Sequence, residues 1–388
     1  MEQALSGYRI LDFGHYIPGP YAAMLLAEQG AEVIKVERPG GDPCRGDHGF
    51  MVWNRSKKGI TLDLKKEEGR QIAQELAKTS DVIIENFRPE VADRLGIGFD
   101  AIRQVNPKVI YCSISGFGRK GPYRDIPGWD PLVASLSGAY VEHGGGQEFP
   151  PLYLVLPLAS YYSAFMAAFS ITTALFAREM TGKGQRVDVS LFGSMLGAEC
   201  IALVDFEGRF RIPFSDPQGS MPLYKFYQGS DGKWFFLGLG NPTFFTKFAL
   251  VLEREEWLTD PRFEGAPFLI FPPASDEITT MFKEIFATKT RDEWLEFLRS
   301  EDIPCAAALA VEEFLDDPQV KANEMVVEIE ELGLGKVREM GIPVKLRLTP
   351  GEIKGRSPKL GEHTEEILTN LLGYSADEIA SFKDREIL

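Results

Sequence analysis

Over the first 115 residues, short apolar runs alternate with amphipathic stretches. Residues 8–13 (YRILDF), 31–36 (AEVIKV), 60–64, 81–85 (DVIIE) and 109–113 (VIYCS) have the length and composition of buried strands. Residues 21–29, closed by Gly30, and 66–78 place apolar side chains at helical spacing. A strand, a helix and a strand within about 30 residues make a βαβ unit, whose right-handed crossover leaves its strands parallel. The pattern therefore predicts an α/β domain of Rossmann-like type.

Further along, a helix is predicted over 131–137, followed by a glycine-rich loop at 143–147 (HGGGQ). Residues 149–177 carry no charge and predict a long apolar helix ending near Glu179. Pro157 and the interspersed serines, threonines and tyrosines favour a core helix over a membrane span. The turn TGKGQ leads into a strand over 186–190. Beyond Pro213 the texture changes: strands 223–227 and 234–237 flank Ser230-Asp231-Gly232-Lys233, a hairpin signal, and helical patterns follow at 242–252, 277–287 and 291–299. These divisions predict a large domain over 1–220, a smaller α+β domain over 221–311, and a tail over 312–388 that returns to the first.

Charge changes the picture in one place. Net charge is −15, with 57 acidic against 42 basic side chains, which disfavours nucleic acid and anionic membranes as partners. Yet 31–65 is locally basic through Lys35, Arg38, Arg45, Arg55, Lys57, Lys58 and Lys65, so an anionic ligand is expected there. Four cysteines without a CxxC pair suggest neither a disulfide framework nor a zinc site, and point to a reducing, cytoplasmic setting. The amino-terminal residues show no signal-peptide pattern.

A βαβ opening raises nicotinamide-dinucleotide binding first. That site needs G-x-G-x-x-G, so that the backbone can approach a pyrophosphate. Here the turn reads GHYIPGP, with Gly14 and Gly19 in the wrong spacing and two amides removed by Pro18 and Pro20.

The series LDFGHYIPGPYAAMLLAEQGAEVIKVERPGGD, NRSKKGITLDLKKEEGR, DVIIENFRPEVADRLGI and YCSISGFGRKGPY resembles the opening of the family III CoA-transferases, also called the CaiB/BaiF family. MTGKGQRVDVSLFGSML, DIPCAAALAVEEFLDDPQVKANEM and SPKLGEHTEEIL are similar to that family's later signatures. The resemblance implies a Rossmann-like large domain split between both chain ends, a small domain from the middle, and two chains interlocked as a dimer. It implies coenzyme A or an acyl-CoA thioester as substrate, with no covalently bound cofactor and no metal, and a carboxylic acid as acceptor. Carried over by motif, the CoA contacts are His15, Arg38, Leu62, Lys65, Asn86, Phe87 and Arg94. Arg38, Lys65 and Arg94 would complement phosphate charge and Phe87 would pack on an apolar or ring surface. The residue types also suit simpler roles, Lys65 as an early helix residue and Arg94 as a surface cation.

The chain departs from the family at the reacting centre. The resemblance places a catalytic aspartate, which carries acyl and CoA groups in turn, at the start of the long apolar helix, where this sequence has Ala159 and Ser160. A serine needs a base to attack a thioester, and its ester is a poorer acyl donor than an anhydride. In GWDPLVASLSG, Trp129 stands where the family's racemases have histidine, Asp130 is kept, and Ala134 replaces a common glutamine. Asp130 reads as a structural carboxylate at a helix start. The expectation is thus a CoA-transferase subunit without the catalytic aspartate, moving CoA from a donor such as succinyl-CoA alongside a homologous aspartate-containing chain. The alternatives are a CoA-thioester isomerase or hydrolase, and a non-catalytic CoA-binding protein.

Overall fold

The structure, a computed structural model, describes residues 2–144, 146, 149–200, 203–209 and 218–388. Gly145 and Gln147 of the glycine-rich loop, and Pro213 within 210–217, lie outside the described residues. Two compact units emerge: Met1–Ala139 with Leu154–Val204 and Ala322–Leu388, and Tyr140–Tyr153 with Asp205–Lys321. Residues 140–153 and 312–321 thus group with the second unit.

The first unit is mixed α/β around a six-stranded parallel sheet. Its strands are β1 (Arg9–Asp12), β2 (Glu32–Glu37), β3 (Lys58–Thr61), β4 (Val82–Glu85), β5 (Ile110–Ser115) and β6 (Gln185–Ser190), in the order β3-β2-β1-β4-β5-β6. β1 pairs with both β2 and β4, with Ile10 opposite Val33 on one side and Val82 on the other. A parallel sheet covered on both faces buries consecutive residues rather than alternate ones. All residues of β4 and β5 are buried accordingly. The connections leave β1 and β4 in opposite directions, and in such sheets ligands bind in the crevice beyond the strands' carboxyl ends at this reversal.

The helix Glu67–Lys78 buries Ile72, Ala73, Leu76 and Ala77 in a core with Leu11, Ile34 and Ile83. Ile367, Leu368, Ile379 and Ile387 enter the same core from the helices Thr364–Leu372 and Ala376–Asp384 and the segment beyond. The acidic tail also forms a hairpin, Val326–Glu331 with Gly335–Met340, that the sequence reading did not anticipate. The long apolar helix runs Leu158–Thr181 and buries small residues, among them Ala159, Ser163, Ala164, Ala167 and Ala174. Tyr162, Phe165, Met166, Phe169, Phe176 and Met180 stand exposed on it. By length and composition it could cross a membrane.

The second unit carries a four-stranded antiparallel sheet, including the hairpin Tyr224–Gln228 and Trp234–Gly238. Its core is aromatic, with Tyr227, Phe235, Phe248, Trp257, Phe282 and Phe286 packed together. Phe245 and Phe248 belong to that core and Phe244 packs against it, so the phenylalanine pattern there serves packing.

Candidate active site

The crevice at the β1/β4 reversal is built by three loops. After β1 the chain turns at Gly14, where an added Cβ would lie 2.8 Å from Asp12 Oδ1 and 2.9 Å from Gly19 Cα, so only glycine fits. Buried charges hold this turn. Lys57 Nζ reaches Asp12 Oδ2 at 2.8 Å, and the Gly14 amide donates to Asp12 Oδ1 at 2.8 Å. Lys35 donates to the Gly14 carbonyl and pairs with Asp42 at 3.1 Å. His15 Nδ1 stands 3.7 Å from Asp42 Oδ2, beyond hydrogen-bonding range. Burial opposes ionisation of Asp42, but His15, Lys35 and the Cys44 amide outweigh it and hold the carboxyl well below the usual range.

After β4, Asn86 ties the second loop to the first: its Oδ1 accepts from the His15 amide at 2.7 Å and its Nδ2 donates to the His15 carbonyl at 2.8 Å. Phe87 meets the His15 ring edge to face, 5.3 Å between centroids. The Phe87 amide donates to the buried Glu85 carboxylate at 2.9 Å. Burial raises the Glu85 pKa, only partly offset by Ser113 and that amide.

After β5 the third loop brings Gly116 against Gly128. A Cβ on Gly128 would stand 2.3 Å from Gly116 Cα, and this close backbone approach carries Trp129 and Asp130 over the end of β5. Trp129 packs on Tyr16 at 4.9 Å. Asp130 begins the helix Asp130–Ser137, yet its side chain turns to another helix: Oδ2 accepts from the Ser160 amide at 2.7 Å. It thereby satisfies one of the free amides in the first turn of Leu158–Thr181, at the positive end of the helix dipole. Burial raises the Asp130 pKa against the lowering effect of the Ser160 backbone and side chain.

These loops enclose a cavity of about 440 Å³ whose lining includes His15, Tyr16, Asn86, Phe87, Arg88, Arg124, Trp129, Asp130 and Ser160, within the size range of small-molecule sites. Arg88 and Arg124 were not singled out from sequence; Arg124 pairs with Glu90 and Asp125, and Arg88 has no ion pair among the described residues. Among the described residues no cluster of His, Cys, Asp and Glu is arranged to hold a metal ion.

Of the residues expected to contact CoA, the structure brings His15, Asn86 and Phe87 together in this lining, with Ser160. Arg38, Lys65 and Arg94 are exposed and outside it, and the Arg38 Nε donates to the Gly41 carbonyl at 3.0 Å. Leu62 is 1% exposed and packs in the core. Within the basic stretch, several cations serve the fold. Lys35 and Lys57 are buried on Asp42 and Asp12, Arg55 on Glu28 and Glu339, and Arg45 Nε bonds Glu37 at 2.8 Å. Asp130 starts its own helix and also lines the cavity beside Ser160.

Residues 5–364 match the family model of CoA-transferase family III. The chain belongs to that family. It is 35% identical to a formyl-CoA:oxalate CoA-transferase of Rhodopseudomonas palustris, covering 99% of this chain and 97% of the relative. It is 30% identical to a succinyl-CoA–D-citramalate CoA-transferase of Chloroflexus aurantiacus, covering 99% and 98%. Among solved structures, a CaiB/BaiF family protein from Brucella suis superposes with a TM-score of 0.82 at 29% identity, covering 96% of this chain and all of that one. As a family III CoA-transferase, the chain takes a CoA thioester as substrate, and the family implies no covalently bound cofactor.

Proposed function

We propose that this chain moves CoA from an acyl-CoA donor to a free carboxylic acid in the cavity at the β1/β4 reversal, through its own residues. The observation that carries this reading is the meeting, in one cavity, of the His15–Asn86–Phe87 cluster with the start of the long helix at Ser160. The cluster is held from both loops by hydrogen bonds and by buried charges beneath it, the preorganisation that binding a flexible thioester needs. Arg88, with no ion pair among the described residues, supplies positive charge in the cavity for the acceptor's carboxylate. Arg38, Lys65 and Arg94, exposed and free of buried pairing, are the cations left to meet the CoA phosphates. The relatives' names concern short-chain acids, and we assign this chain a small acid acceptor with a donor of the succinyl-CoA class. The test is to incubate the purified chain with succinyl-CoA and a panel of small carboxylic acids. New thioester should form in step with donor consumption; hydrolysis alone, or CoA binding without exchange, would overturn the reading.

A second reading rests on Ser160 and on the exposed apolar face of the long helix. In it, two chains interlock through split Rossmann-like domains in the cytoplasm, and a homologous partner supplies the aspartate. Co-purification with an aspartate-bearing homologue, activity only in the mixture, and loss of the assembly in Phe169→Glu would favour it over turnover by this chain alone.

A further inference from the structure

The long helix starts without an acid of its own, yet a carboxylate stands against its first turn. Asp130 Oδ2 lies 2.7 Å from the Ser160 amide, and both residues line the 440 Å³ cavity with His15, Asn86 and Phe87. The Gly116–Gly128 contact fixes the backbone two residues before Asp130. Trp129 packing on Tyr16 fixes the residue between. The residue is thus positioned from both sides, while it stays half-buried and lines the cavity.

We infer that Asp130 is the acyl- and CoA-carrying nucleophile of this enzyme, reaching across from the helix Asp130–Ser137 to the place where Ser160 leaves none. The inference rests on the CoA-transfer function proposed above. In the first step an Asp130 carboxylate oxygen attacks the donor thioester carbonyl: a C–O bond forms, the C–S bond breaks, and the carboxylate's charge leaves on CoA thiolate. The thiolate then attacks the Asp130 acyl carbon of the mixed anhydride, releasing the donor acid as its carboxylate and leaving an Asp130–CoA thioester. The acceptor carboxylate attacks that thioester carbon, expelling thiolate and forming a second anhydride. Thiolate attack on the acceptor's carbonyl gives the new acyl-CoA and frees the Asp130 carboxylate. Charge and atoms balance without a proton donor, oxidant or metal.

The surroundings suit each stage. The Ser160 amide that holds the carboxylate is positioned to polarise the Asp130 carbonyl once it is acylated, as an oxyanion donor does. Burial raises the carboxyl's basicity, which strengthens it as a nucleophile, while the amide limits the rise. Ser160 acts here through its backbone amide, and its side chain adds to the stabilisation of the Asp130 carboxylate.

Oxygen bookkeeping distinguishes this assignment. In the sequence above, one oxygen of the acceptor acid ends in the enzyme carboxylate. Turnover with succinyl-CoA and an oxygen-18-labelled acceptor should place oxygen-18 in the peptide carrying Asp130. Asp130→Asn, which keeps shape and can still accept from the amide, should lower exchange by about a thousandfold or more while the thermal transition and CoA binding hold. If the parent chain exchanges CoA but the label is absent from Asp130, or Asp130→Asn exchanges at the parent rate, the assignment falls and the function stands. If the parent chain exchanges no CoA with any acid, both fall.

Discussion

Replacing Arg55 by methionine should destabilise the first unit by about 4 kcal/mol near pH 8, because it strips a cation from two buried carboxylates. The guanidinium is fully buried; Nε bonds Glu28 at 2.6 Å, and Nη1 bonds Glu339 at 3.1 Å and the Met340 carbonyl at 2.6 Å. Glu28 is 0% and Glu339 5% exposed, and each already keeps one oxygen without a hydrogen bond. Breaking a buried pair by deleting one partner costs about 3–5 kcal/mol, since the remaining charge is left uncompensated. With a urea slope of about 3 kcal/mol per molar, the unfolding midpoint should fall by about 1.3 M. The sign with pH follows from protonation. Without Arg55 the Glu28 carboxyl, buried and deprived of its cation, has a folded pKa raised further above its unfolded value of about 4.3. The penalty is therefore absent well below that pH, grows as pH rises through it, and is complete above the raised folded value. Glu28 is already raised in the parent, because its burial outweighs Arg55. Urea unfolding of parent and variant at pH 5 and pH 8 measures the effect. A loss under about 1 kcal/mol at pH 8, or a penalty that deepens on acidification, would refute the reasoning.

Other expectations follow from the same geometry. Asn86→Ala removes both bonds to the His15 backbone and should cost about 2 kcal/mol while weakening CoA binding, read by urea unfolding and calorimetric titration. Gly128→Ala forces apart two backbones now in contact; circular dichroism should show the fold kept at a cost of about 1–3 kcal/mol, whereas the rate of CoA exchange drops as Asp130 moves. Burial pushes Lys57 down to about 8 although Asp12 pulls the other way. Unfolding then takes up a proton between pH 8 and about 10.4, so this group's contribution to stability rises across that window. Lys57→Met should erase that rise when the pH dependence of unfolding is compared with the parent's.

How much of this was legible in the sequence depended on whether the signal was local. VIIE and IYCSIS announce strands because both faces of a parallel sheet are covered and successive residues must all be apolar. Lys35, Glu37 and Glu85 sit in such runs as charged letters, and nothing local tells a buried paired charge from a solvated one. That is why the segment around Lys35 to Lys57 reads as a ligand-binding patch, while the structure spends most of those cations on Asp12, Asp42, Glu37, Glu28 and Glu339. The cluster of His15, Asn86 and Phe87 was accessible through motif resemblance, because each follows a strand end. The pairing of Asp130 with Ser160 was not: it joins positions 30 residues apart through a glycine contact further back. The hairpin ending at Met340 was hidden because its alternating residues, as in EIE and KVREM, are largely charged on the outward face.

The core that begins at Leu11 is closed by Ile387, and this has a bearing on biosynthesis. A ribosome must make nearly the whole chain before the last members of the first strand's core, Ile367 to Ile387, exist, so that core is completed late. The second unit, whose residues end at Lys321, waits for nothing downstream. A nascent chain stalled after Lys321 should protect the amides of the Tyr224–Gln228 hairpin from exchange and leave those of β1 and β2 open; equal protection of both would contradict this order.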